Sequence, residues 1–252
     1  MNCPKCRAAL PDTAAECPHC GIVVAKYRER QEAVRRAIED GAPGPDSATE
    51  AHHEPGSEAT RFLGVEATTS MAVAVGRGVF VLLLALWTTT LVGDVSAERA
   101  NSSFIHLPNL VFHEAGHILF SPFGRFMTVL GGSLTQVLVP LVCAGAFLWQ
   151  TRDPFGAAVA IWWAGENLID VAPYINDARE LKLVLLGGRT GAEVEGHDWE
   201  YLLYAMGLAH KDHTIAAAVQ AIGILIMIAG LVWGAMVVLH QTGMLRPSRP
   251  RL

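Results

Sequence analysis

Charge is scarce in this sequence. Asp, Glu, Lys and Arg make up 17% of its 252 residues, against about 25% in an ordinary soluble domain. That shortfall excludes a disordered acidic or basic chain and argues against an ordinary soluble enzyme. Basic excess is missing too. The net charge is -5 at pH 7, which leaves no electrostatic footprint for nucleic acid, so no nucleic-acid partner is expected. Beyond residue 20 the only cysteine is Cys143, which excludes a disulfide-stapled secreted miniprotein. Apolar residues are what the chain has in plenty: 51% of the total, with a mean hydropathy of +0.31, gathered into long runs. The expected class is an all-α integral membrane domain behind a small polar appendage.

The appendage carries Cys3-Pro4-Lys5-Cys6 and Cys17-Pro18-His19-Cys20-Gly21. Two CxxC turns each deliver two thiolates to one side of a tetrahedral metal, and turn amides offset their charge. No signal peptide stands before Cys3, so the thiols are expected in reducing cytoplasm, where zinc prevails over a disulfide. Residues 1–22 therefore resemble a zinc ribbon, with Cys3, Cys6, Cys17 and Cys20 holding a structural zinc. Residues 23–40 read as a solvated charged helix. Residues 41–70 are rich in Gly, Pro, Ser, Thr and acids and read as a flexible linker. The pair His52-His53 lies inside that linker with nothing to hold a metal.

Residues 71–243 form the expected multi-span membrane domain, with 244–252 a basic tail. Its apolar runs cover about 71–93, 107–120, 127–149, 155–176 and 214–240, against the ~20 residues a spanning helix needs. The second is short: a helix over 108–121 reaches only about 21 Å. Pro108 suits its first turn, and Ser121-Pro122 favours its end. Eight of the 19 Lys and Arg residues (Lys5, Arg7, Lys26, Arg28, Arg30, Arg35, Arg36 and Arg61) precede residue 62, which predicts a cytoplasmic N-terminus. The expected location is a bacterial inner (plasma) membrane, with the ribbon in the cytoplasm. With five crossings the tail, with Arg246, Arg249 and Arg251, falls outside against the positive-inside rule, unless one segment is re-entrant.

The short run holds His113-Glu114-Ala115-Gly116-His117. In a helix, histidines at i and i+4 share a face and can bind one zinc, with the intervening Glu placed to take a proton from a zinc-bound water. Ionisable side chains in an apolar segment are costly and usually functional. Two histidines leave zinc short of one protein ligand. Measured along side-by-side helices, His113 and His117 lie about 12–18 Å deep and Glu166 and Asp170 about 17–23 Å deep, with Asp177 near 33 Å. Depth thus favours Glu166 as the third ligand, with Asp170 orienting a histidine, or the reverse. Asp177 is the alternative. The segment Gly196-His197-Asp198-Trp199-Glu200-Tyr201 reads either as a capped amphipathic helix or as a polar lid, with His197 and Asp198, or an extra ligand at the cytoplasmic face.

An HExxH helix, a span and then a helix with an acid resemble the three-helix core of site-2-type intramembrane zinc proteases, over about residues 105–178. That family's third ligand is an Asp followed by Gly. Here Asn167, Pro173 and Asp177-Ala178 give a looser spacing without the Gly. Glu166 followed by Asp170 also resembles thermolysin-like gluzincins, in which the Glu binds zinc and the Asp supports a histidine. The resemblance implies a zinc metalloendopeptidase with Glu114 as general base, a catalytic zinc besides the structural one, and a membrane-associated protein or peptide substrate in the lipid bilayer. Two other classes stay open: an intramembrane metal transporter, and a non-catalytic adaptor that binds partners through its ribbon.

Overall fold

The computed structural model describes residues 1–11, 14–39, 69–93, 95 and 102–242. The expected linker, apart from residues 69 and 70, lies outside them, as do His52-His53 and the basic tail. The chain divides into two compact units, Met1–Gly56 and Ser57–Leu252.

In the first unit each CxxC sits in a tight turn. Cys3 N–H donates to the Ala8 carbonyl and Arg7 N–H returns to Cys3. The second turn repeats this, with Cys17 bonded to Ile22 and Gly21 to Cys17. Arg7 and Gly21, each four residues past the first cysteine of its turn, take left-handed φ of 61° and 69°. Glycine adopts that conformation without strain and arginine does not. Isolated antiparallel bridges join Asn2 to Ala9 and Glu16 to Val23. A small core of Cys3, Leu10, Cys17 and Val24 closes the turns. Helix α1 (Val24–Glu39) follows, with the charged composition expected of a solvated helix.

The second unit holds α2 (Met71–Leu91), α3 (His106–Phe120), α4 (Arg125–Ala146), α5 (Pro154–Asn176), the short α6 (Asp198–Ala205) and α7 (Asp212–Gln241). Among the described residues three helical stretches, not five, are long and apolar enough to cross a membrane: Met71–Leu91, Arg125–Thr151 and Ala209–Gln241. The second stretch is α4 extended by a π turn over Phe147–Thr151. Helix α3 is too short, at 15 residues. Helix α5 is long enough, but Glu166, Asn167 and Asp170 break its apolar run and its side chains are mostly buried.

Helix α5 lies at the centre because small residues let its neighbours approach. A Cβ on Gly223 of α7 would stand 2.7 Å from the Gly165 carbonyl oxygen, and one on Gly230 would stand 2.7 Å from the Trp162 nitrogen. Helices associate this way in lipid, where apolar burial brings no gain and close backbone contact does. Trp162, Ile169 and Met227 fill the seam with Leu84 and Leu91 from α2. Asp212, fully buried at the start of α7, accepts two bonds of 2.7 and 2.6 Å from Arg179 just past α5. That pair pins the connecting segment to the bundle.

Candidate metal centres

In the N-terminal unit the sulfurs of Cys3, Cys6, Cys17 and Cys20 all lie within 4.8 Å of one another. Cys3 and Cys20 stand 3.7 Å apart, as do Cys6 and Cys17. A disulfide needs about 2.05 Å. Four thiolates about 2.3 Å from a tetrahedral zinc stand about 3.8 Å apart, so the donor set fits that metal. The backbone N–H of Cys6 holds the Cys3 thiol down to about 6, while burial pushes the Cys20 thiol up to about 12.

The second cluster starts from the helix α3 repeat. His113 and His117 lie on one face, their rings 4.9 Å apart and edge to face. Each Nδ1 is already engaged: His113 with Gln136 Oε1 at 3.1 Å, and His117 with the Thr128 carbonyl at 2.9 Å. Both acceptors hold a proton on Nδ1 and turn Nε2 inward. The two Nε2 atoms converge on Asp198 Oδ2, at 2.9 and 3.2 Å. Ligands about 2.0 Å from a tetrahedral zinc stand about 3.3 Å apart, so this set also fits. Burial works against charge on Asp198, but the hydrogen bonds from His113 and His117 outweigh it and hold the carboxyl below its usual range.

Glycine makes the room. A Cβ on Gly132 of α4 would stand 2.6 Å from His113 Nε2 and from the His117 ring, and a Cβ on Gly116 would overlap the Gly131 carbonyl. The sharp return from α3 to α4 runs through a 3-10 turn at Ser121–Phe123 and Gly124, whose φ is 88°.

Neither carboxylate expected as third ligand joins the pair. Glu166 Oε2 accepts from Asn109 at 2.9 Å, and Asp170 pairs with His106 Nδ1 at 2.8 Å and Gln136 Nε2 at 2.8 Å. The contacts between α3 and α5 give each acid partners other than the His113–His117 pair. His106 and His113 face Asp170 and Tyr174, while Asn109 and Phe112 face Glu166 and Trp163. Equal depth therefore does not place Glu166 beside the histidines. Asp177 is committed too, accepting from the Lys182 and Leu183 amides at 2.9 Å each.

Of the two expected lid residues, Asp198 enters the cluster and His197 supports it. His197 is buried, and its Nδ1 accepts from Glu200 N–H as the cap of α6. Its ring centre lies 4.3 Å from that of Tyr174, tilted by 52°, and Nε2 lies 3.4 Å from Asp177 Oδ2. The Asp198 amide donates to the Tyr174 hydroxyl at 2.9 Å, and Trp199 donates to Ser133 of α4. The capped-helix reading of 196–201 and the extra-ligand reading thus describe the same segment. Gln136, Tyr174, His106 and Asn109 carried no motif that marked them in the sequence. For Gln136 the available signal was a buried amide within an apolar span.

Glu114 is exposed on α3 and lines, with His113, His117 and Asp198, a cavity of ≈ 560 Å³. Leu110, Val171 and the run Leu183–Leu186 form an apolar wall. That run is one side of a small hairpin: Val184 bridges Thr190, and Leu185 N–H donates to Arg189 at 2.8 Å. By strand alternation the Val184 N–H and C=O point away from that partner. No family model, no curated protein and no solved structure matches this chain.

Proposed function

We propose that the Ser57–Leu252 unit is a membrane-embedded zinc endopeptidase of the site-2-like kind that its HExxH helix resembles, joined to a structural zinc ribbon. One observation carries this reading: His113, His117 and Asp198 converge on a point beside Glu114 in an open cavity. His113, His117 and Asp198 would hold the zinc, which would supply Lewis acidity and lower the pKa of a water beside Glu114. Glu114 then serves as general base, taking the proton of the attacking water and delivering it to the leaving amine. The apolar wall and the outward Val184 backbone groups suit an extended peptide segment, which favours a peptide over a small solute as the substrate class. The ribbon's four protein ligands leave no open position, so its work is recognition or scaffolding. The unit acts in a bacterial inner membrane on a membrane-associated protein or peptide, with the ribbon on the cytoplasmic side.

The test is cleavage of membrane-anchored reporter peptides by the zinc-loaded full chain in proteoliposomes, beside its Glu114→Gln variant. Cleavage by the parent and none by the variant supports the reading. Equal cleavage by both sinks it.

A metal-transit reading draws on a different observation. Asn109, Glu166, Asp170 and Gln136 form a buried polar cluster between the metal centre and the bundle interior, and Glu166 Oε1 has no hydrogen-bond partner. Zinc flux into the same vesicles, lost on Glu166→Gln, would favour transport. The adaptor reading predicts that Glu114→Gln leaves the cellular phenotype intact.

A further inference from the structure

Three histidines line the cavity, and the metal reading uses two of them. The third is His106, the first residue of α3. It stands seven positions before His113, so the two share a face of the helix, about 10 Å apart along its axis. Its Nδ1 lies 2.8 and 3.0 Å from the two oxygens of Asp170. That carboxylate is 1% exposed and also accepts from Gln136 and Asn109, so it meets the ring as an acceptor and holds a proton on Nδ1. The other side of the ring is open. The His106 side chain is 27% exposed, and its Nε2 makes no hydrogen bond among the described residues.

The charges around the cavity give this nitrogen a task. Glu114, Asp170, Glu195 and Asp198 line it, while among the described residues no lysine or arginine does. With His113 and His117 turned to the metal position, His106 is the side chain there able to offer a ligand a cationic donor. It lies outside the three membrane-capable stretches, and its hydrogen bond to Asp170 raises the imidazole above its usual range, against the pull of burial.

We propose that His106 and Asp170 form an anion subsite of the cavity: Asp170 fixes the ring, and His106 Nε2–H donates to a carboxylate of the bound peptide. An extended chain advances about 3.3 Å per residue, so the distance from His113 to His106 places that carboxylate about three residues from the metal position. An acidic side chain and a free C-terminus both supply the group. The inference rests on the peptide reading of the cavity, and its test separates the two.

The probes are fluorescent peptides with one Glu walked along an otherwise uncharged apolar sequence. Each is paired with its Gln counterpart, and each is made with a C-terminal acid or amide. Binding to the zinc-loaded full-length Glu114→Gln protein in detergent is read by anisotropy, so the result does not depend on cleavage. One Glu position, or the C-terminal acid, should bind about 10-fold tighter than its neutral counterpart, the size of one charge-assisted hydrogen bond. Which of the two does so identifies the source of the carboxylate. His106→Asn in the same protein tests the assignment. The shorter amide still donates to Asp170 from near the Nδ1 position, so the tie from α3 to α5 survives, but nothing replaces Nε2. It should erase the preference and leave the affinity for the Gln amide peptide unchanged, which a merely structural defect would not. The preference should also fade as pH rises through the raised value of His106, because only the imidazolium carries both N–H groups. Around that ring, Asp170 of α5 touches it, Gln136 of α4 is uncharged, and Glu195 and Asp198 line the same cavity. Equal binding within every pair overturns the subsite, as does a preference that survives His106→Asn or grows with pH. A clear preference in peptides that the zinc-loaded parent never cleaves keeps the subsite and overturns the endopeptidase reading. Binding of no peptide at all overturns both.

Discussion

The four thiols of the N-terminal unit come from one short stretch, Cys3 to Cys20, whereas the histidine pair on α3 meets its carboxylate 81 positions further on, from His117 to Asp198. The first set is local and self-contained: four thiols from two turns, enough to fill a tetrahedral zinc site. The second is remote and open, with three side chains facing a cavity that Glu114 shares. A local set is preorganised by turn geometry. A remote one depends on the docking of everything between its ligands, here the Arg179–Asp212 pair, the Asp177 turn and the Tyr174–His197 ring contact. Closure suits structure, and openness suits chemistry.

This contrast predicts different responses to metal loss. Cys17→Ser, or a chelator strong enough to strip the ribbon, should unfold residues 1–22 outright, because in small zinc modules metal binding is folding. The membrane unit should keep its helices, measured by circular dichroism and by protease mapping of the two parts. Simultaneous collapse of both would break the comparison. A chain beginning at residue 62 should likewise carry one zinc instead of two by metal analysis.

Glu114→Gln should lower peptide cleavage about 100- to 10,000-fold, the usual cost of losing a positioned general base, with two zincs per chain retained. In a metal-content series, Asp198→Ala should empty the membrane site while Glu166→Ala and Asp177→Ala keep it filled. Should Glu166→Ala empty it and Asp198→Ala not, the contacts between α3 and α5 would be misjudged. The smallest effect is expected from Gly132→Ala. Its added methyl presses on both imidazoles, so zinc affinity should fall while thermal stability changes little, measured by chelator competition beside a melting curve. A loss of stability without loss of affinity would mean that the glycine serves packing alone.

The same contrast explains what could be read from the residues alone. Thiol spacing, the HExxH repeat and the helical runs are short-range patterns, and the structure contains helices close to each run, from Met71–Leu91 to Asp212–Gln241. The third carboxylate is a long-range fact. Depth along a helix is one coordinate, and judging Glu166 also required knowing which α3 residues face α5, here Asn109 against Glu166 and His106 against Asp170. Asp198 was visible only as part of a polar patch, since an acid beside a histidine in a loop looks the same whether it meets a metal or caps a helix. Helix α5 misled for a related reason: its length matches a span, but its surface is covered by protein.

The distance between His117 and Asp198 has a consequence for synthesis of the chain. At about 5–20 residues per second, the ribosome adds Asp198 about 4–16 s after His117. During that interval the HExxH helix can enter the bilayer with its histidines present and the site still lacking a ligand. On the proposed reading, the nascent protein is thus born without cutting power, and it stays so until the last helix has been made and Asp212 has met Arg179. On that same proposal, a hydrolase whose substrates share its membrane would gain a built-in delay from nothing more than the order of its residues.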